Sequence, residues 1–213
     1  MCFASCTDRK VFAFDEKGTA TKTDAQGTYI SADAKGDFVY TCVDGKATTD
    51  VYKYAVKGTK LTQEKDFFRS LRSSLINVKG IGVTADGKAF GVVAGGGWAD
   101  TDNKRHYGVP LYSTEDMKSQ LGELETGAYP SGFLPHPTEP FLFGCTGKEG
   151  ALYKAKALTS VQKFAAPKEA LGANPPVVLA FVAKGKKLAW GTNTAADAGI
   201  LKLYDVDTGA KKD

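Results

Sequence analysis

The sequence is short of several residue types, and each shortage removes a class of function. Among 213 residues there are only two His, two Trp, two Met and four Cys. Neither His has a partner in the sequence for a His-built metal centre or a general-base site, which needs a second group in reach. No Cys-x-x-Cys pair occurs, and Cys2 and Cys6 are followed by no second ligand pair, so zinc-site spacing is missing and no metal is expected. There is no Gly-x-Ser-x-Gly elbow and no His-Glu-x-x-His, and no catalytic residue or cofactor site is assigned. No stretch approaches the ~18 apolar residues of a membrane-spanning helix. The opening MCFASCTDRK has neither a basic segment nor a long apolar one, so it does not read as an intact signal peptide, and a cytoplasmic protein or a piece of something longer is expected. Dense Lys/Arg runs are also lacking. The net charge is +4, with lysines spread over turns such as those at Lys35, Lys88 and Lys186, which argues against a nucleic-acid surface.

What the chain has instead is turn and strand material. Gly numbers 24, Phe 12 and Tyr 9, the residues that tight turns and half-buried strands use. Four stretches read as strand, tight turn, strand: GTYISADAKGDFVYTCV (27–43), GIGVTADGKAFGVVAGG (80–96), SGFLPHPTEPFLFGCTG (131–147) and PVVLAFVAKGKKLAWGTN (176–193). The N-terminal MCFASCTD fits the second strand of a fifth copy. An alternating third strand follows each pair, as in KVFAFDEKG, DVYKYAVKG and ILKLYDVDTG, and a more polar fourth strand follows most of these, as in TATKTD, KLTQEKDF, LGELET and VQKFAAP.

A common slot near the end of the second strand, filled by Cys6, Cys42, Ala94, Cys145 and Thr192, recurs at intervals of 36, 52, 51 and 47 residues. A period of about 46 residues is that of a four-stranded propeller blade. The expectation is an all-β β-propeller of four-stranded antiparallel blades with about five repeats, near 1–24, 25–67, 78–126, 127–167 and 174–213, with irregular inserts at 68–77 and 95–106. The first copy lacks a first strand and the last has little beyond its third, so the chain reads either as a five-bladed ring or as part of a larger propeller. Open sheet edges would then allow self-association.

The repeats resemble a known family. Ala85-Asp86-Gly87-Lys88 is similar to the Ser-Pro-Asp-Gly-Lys turn of WD-repeat and YVTN-type propellers. Leu203-Tyr204-Asp205-Val206-Asp207-Thr208-Gly209 resembles their third strand and turn, and Leu134-Pro135-His136-Pro137 resembles the His-Pro form of the first turn. No Gly-His pair precedes a blade and no third strand ends in Trp-Asp; Asp15 and Asp205 alone stand at that Asp. The resemblance implies a propeller fold and a polar residue bonding locally at the slot of Ser31, Thr84 and His136.

Two irregular stretches stand out as candidate partner-binding elements. AGGGWADTDNKRHYG (94–108) lengthens one connection and gathers Trp98, Asp100, Asp102, Arg105 and His106, in which an exposed Trp beside Arg and His would make a contact patch. KDFFRSLRSSLINVKG (65–80) places Phe67, Phe68, Leu71 and Leu75 at helix-like spacing, with Arg69 and Arg72 on another face. The function expected is a non-catalytic scaffold or assembly subunit with a protein partner. The alternatives are a lactonase- or glycosidase-like propeller hydrolase with funnel-facing carboxylates, and a lectin with one small-sugar site per blade.

Overall fold

A computed structural model of the chain describes residues 2–44, 48–72, 78–99, 102–117, 119–167, 178–192 and 199–208. They form antiparallel sheets laid down in chain order. The first joins β1 (Cys2–Ser5), β2 (Lys10–Phe14) and β3 (Ala20–Gln26). The second joins β4 (Tyr29–Ala32), β5 (Phe38–Asp44), β6 (Thr48–Lys57) and β7 (Lys60–Arg72). The third holds β8 (Val78–Val83) and β9 (Ala89–Ala94), then, after a small hairpin of β10 (Trp98–Ala99) and β11 (Arg105–His106), β12 (Val109–Ser113) and β13 (Gln120–Leu124). The fourth runs β14 (Gly132–Pro135), β15 (Phe141–Cys145), β16 (Glu149–Lys154) and β17 (Ser160–Ala165). The last has β18 (Val178–Val182), β19 (Lys187–Thr192) and β20 (Ile200–Asp205). Among the described residues no helix is long and apolar enough to cross a membrane.

The sheets stack because their strands are apolar on both faces. A strand alternates sides residue by residue, so a two-faced strand reads as a continuous apolar run. AFGVVA in β9 and FLFGC in β15 are such runs, buried throughout. On β9, Val92 points back to Tyr40 and Cys42 of the second sheet, while Val93 points forward to Leu142 and Phe133 of the fourth. On β15, Leu142 points back and Phe143 forward, against Leu188 and Trp190. Val11 and Ala25 of the first sheet meet Val39, Tyr54 and Leu61 of the second. Each buried side chain of this size contributes about 1.5–3 kcal/mol, and the edge-to-face pair of Phe143 and Trp190, centroids 5.6 Å apart, fixes how the last junction interlocks.

The Ala85-Asp86-Gly87-Lys88 turn joins β8 to β9 as its residues dictate. Thr84 N–H donates to Ala89 O at 2.9 Å and Gly87 N–H to Thr84 O at 2.8 Å, with Gly87 at φ +69°. Asp86 Oδ1 accepts from Lys88 N–H and from the Thr84 hydroxyl. The left-handed turn position costs a glycine nothing.

Three expectations need correction. Only Cys42 and Cys145 share a slot: Ala94 and Thr192 sit one residue out of step and face backward, since a one-residue shift in a strand reverses the side chain. Cys6 lies in the exposed turn after β1. The residue equivalent to Thr84 and His136 is Asp33, not Ser31, because Asp33 N–H, like theirs, donates to the carbonyl that opens the second strand. The helix-like spacing of 65–80 is not used over 65–72: β7 runs to Arg72, paired with β6 at Tyr52↔Phe68, Val51↔Arg69 and Thr48↔Arg72. There the ladder to β6 satisfies the backbone, and Leu75 lies outside the described residues.

His136 bonds locally, as the resemblance implies. Its Nδ1 accepts Glu139 N–H at 3.0 Å, so the proton is on Nε2, which donates to Gly185 O at 3.2 Å in the last sheet. The ring is 1% exposed and packs on Phe181. Gly185, at φ +87°, has no room for a Cβ, which would run into the imidazole. Gly185→Ala is expected to cost about 1–3 kcal/mol. The loss should shrink in a His136→Ala background, as denaturant unfolding of both single variants and the double would show.

Burial also decides the thiols. Cys145 is fully buried and its thiol is pushed up to about 12, while Cys2 and Cys6 are exposed. Iodoacetamide on the native protein is expected to label Cys2 and Cys6 well before Cys42 and Cys145, read by peptide mass mapping.

Candidate functional site

Within the 94–108 insertion, β10 and β11 pair and are clamped to the blade they interrupt. Trp98 pairs with His106 and Ala99 with Arg105. The indole and imidazole stack, centroids 4.3 Å apart and 14° from parallel. Both reach one carboxylate on the outer strand of the third sheet: Trp98 Nε1–H donates to Glu123 Oε1 at 3.3 Å, and His106 Nδ1–H to Glu123 Oε2 at 3.0 Å. Gly108 makes room for this, since a Cβ there would collide with the Glu123 carboxylate and the Leu124 carbonyl.

Trp98 is therefore not the exposed contact that its position in a long polar loop implies. It is 4% exposed and belongs to the core between the second and third sheets. Burying the indole supplies apolar burial, and its N–H still finds a partner. Arg105 and Asp102 are exposed, with Tyr107 beside them at 43%. Asp100 lies outside the described residues. Phe67, Phe68, Arg69 and Arg72 have backbone in β7, and their side chains lie outside the described part of the structure.

Beside the clamp a cleft of about 680 Å³ opens between the outer strands of the third and fourth sheets. Among the described residues, Glu125 and Glu149 line it with Lys163, Tyr153 and Leu158 are its larger walls, and Glu123 borders it with its carboxyl turned to Trp98 and His106. Tyr153 donates its hydroxyl to Glu125 O at 2.9 Å, holding the rim in place. Thr126 Oγ1 is buried at the same wall with no hydrogen-bond partner among the described residues. In a chain of net charge +4 this is a local reversal of sign. Sequence reasoning passed over these glutamates by reading LGELET only as a polar fourth strand. The signal was Glu123 and Glu125 two apart, a spacing that puts both on one side of an extended chain. Glu149, from another sheet, gave no such signal.

Among the described residues no group of three or more His, Cys, Asp or Glu side chains is placed to hold a metal ion. No family model and no curated protein matches the chain. Solved structures do. The fold is similar to the Cps50 (Swd1) beta-propeller domain of Myceliophteria thermophila, at a TM-score of 0.68 and 12% identity, over 99% of this chain and 64% of that one. It is also similar to Kuenenia stuttgartiensis hydrazine synthase, at a TM-score of 0.58 and 18% identity, over 90% of this chain and 49% of that one. The chain thus spans about half to two-thirds of these structures. With its successive antiparallel sheets, four-stranded where complete, the chain is an all-β propeller fold.

Burial holds the Glu123 carboxyl above its ordinary 4.5, against the opposing pull of His106 and Trp98. A raised carboxyl binds its proton more tightly in the folded chain than in the unfolded one. Its contribution to stability is therefore fully present below 4.5 and lost as pH rises through the folded value. Glu123→Gln does not titrate. In thermal melts from acid to neutral pH, the variant is expected to gain on the wild type as pH climbs; a gap constant with pH would contradict the buried carboxyl.

Proposed function

We propose that this chain is a non-catalytic, WD-repeat-like propeller that binds a protein partner, using the β10–β11 hairpin and the acidic cleft beside it. The observation that carries this reading is the clamp of Trp98, His106 and Glu123. It ties both strands of an insertion between the second and third strands of one sheet to that sheet's outer strand. A preorganised projection loses less freedom on binding than a loose loop. The similarity to the Swd1 propeller domain supports the fold on which the surface is built.

The chemistry of the cleft selects the partner. The carboxylates of Glu125 and Glu149 against the Lys163 ammonium, with Tyr153 and Leu158 as walls, suit a basic side chain with an apolar stem. The exposed Asp102, Arg105 and Tyr107 would form the rim of the contact. A Lys/Arg-containing peptide segment is the proposed ligand.

Fluorescence anisotropy on matched sets of basic, neutral and acidic labelled peptides tests this. Basic peptides are expected to bind best and to weaken as salt rises. Glu125→Lys/Glu149→Lys should cost about tenfold or more in affinity, while Glu16→Lys, on the first sheet's turn, should not. Equal binding of all three peptide classes, or no effect of reversing the cleft charges, would overturn the proposal.

A further inference from the structure

Histidine is the side chain whose ordinary titration falls between pH 5 and 8, and the chain has two. His106 faces the Glu123 carboxylate, which accepts from a neutral and from a protonated ring alike. His136 is placed differently. It is buried at the β14–β15 turn, and its two ring nitrogens meet backbone groups of opposite kind. Nδ1 accepts Glu139 N–H at 3.0 Å, with Thr138 N–H beside it at 3.4 Å. Nε2–H donates to Gly185 O at 3.2 Å, in the β18–β19 turn of the next sheet. A ring carrying one proton satisfies both contacts, and only with that proton on Nε2.

A second proton has one place to go. On Nδ1 it would aim an N–H at the N–H groups of Glu139 and Thr138. The ring has no room to swing away: Phe181 packs on it, centroids 4.8 Å apart, and Gly185 lies so close that a Cβ there would run into the imidazole. Among the described residues, the charged side chains on the turns packed together here are these. Glu139 carries the one carboxylate of the β14–β15 turn and meets the ring through its backbone N–H. Lys184 and Lys186 flank Gly185, and Lys187 is paired with Asp205. The β16–β17 turn, hung from Pro140 O by Ala155 N–H, brings Lys154 and Lys156. Those lysines offer an imidazolium no partner.

We infer that His136 is an acid-operated latch: the neutral ring ties the β14–β15 turn to the β18–β19 turn of the next sheet, and protonation of the ring breaks that tie. A released ring takes up its proton at the ordinary imidazole value of ~6.5. Stability of the closed form rises with pH wherever the open form binds more protons. The tie is therefore complete above about 6.5 and is lost as pH falls below it, its closing constant dropping about tenfold per pH unit. The third sheet has the same turn without this dependence, since Thr84 accepts Ala89 N–H at 3.0 Å with a hydroxyl. The latch joins two turns within the described residues, and it rests on neither the hairpin nor the acidic cleft.

Native-state hydrogen exchange by NMR on the 213-residue chain, corrected for the intrinsic rate at each pH, is the test. The Glu139 amide is expected to lose about tenfold in protection per unit from about pH 6.5 to about pH 5. The Ala89 amide of the third sheet's turn should keep its protection over the same range. His136→Thr, which puts the third sheet's residue at this slot, should leave Glu139 exchange independent of pH. Ring-nitrogen spectra need no change in the turn. With His106→Gln to tell the two rings apart, His136 should remain the Nε2–H tautomer until the Glu139 amide loses protection. Glu139 protection that is constant from about pH 7.5 to about pH 5, a loss matched at Ala89, a dependence that survives His136→Thr, or a ring that gains its second proton with the Glu139 amide still protected would each overturn the inference.

Discussion

Everything in this molecule depends on sheets that cannot bury themselves. A four-stranded sheet with apolar residues on both faces is unstable alone, and it becomes a wall of core only between two others. Leu142 and Phe143 are neighbours in sequence, yet they belong to different cores, one shared with the third sheet and one with the fifth. The junctions are filled by a few large side chains, Tyr40, Phe90, Phe143 and Trp190 among them, all buried. Close packing at native density then fixes the spacing between sheets and leaves the loops to vary.

Polar groups do the positioning at the ends of strands. Asp33, Thr84 and His136 each accept a backbone N–H in the turn between the first two strands of a sheet. A carboxylate, a hydroxyl and an imidazole serve the same turn because each offers one acceptor at the right height. His136 adds a second bond, to Gly185 of the neighbouring sheet, so one side chain both ends a strand and ties two blades together. A buried imidazole with both nitrogens committed to the backbone has little left for chemistry.

The outer surface follows another logic. Glu123 is held by an indole and an imidazole that come from an insertion, and in return it holds that insertion still. Burial makes the arrangement sensitive to charge, since a carboxylate taken partly out of water keeps its partners or loses stability. The cleft beside it gathers carboxylates from two sheets at the seam where their outer strands diverge. A propeller offers such a seam at every junction, and here one of them has been given a sign. The forward face of the last sheet is built from the residue types that fill the other junctions.

The sequence by itself determined the repeat. Apolar alternation, Gly at turns such as Gly87 and Gly36, and a spacing of about 46 residues make four-stranded units legible, because strand period and turn conformation are local properties. Local patterns carry no information on which face meets which neighbour. Ala94 and Cys145 therefore read as equivalent when they point in opposite directions, and Asp33 was missed at the slot given to Ser31. Tertiary structure alone decided that Trp98 is core, that Glu123 is its anchor, and that Glu149 joins Glu123 and Glu125. Those contacts join residues tens of positions apart, and they exist only once the sheets have stacked to bury the faces that none can bury alone.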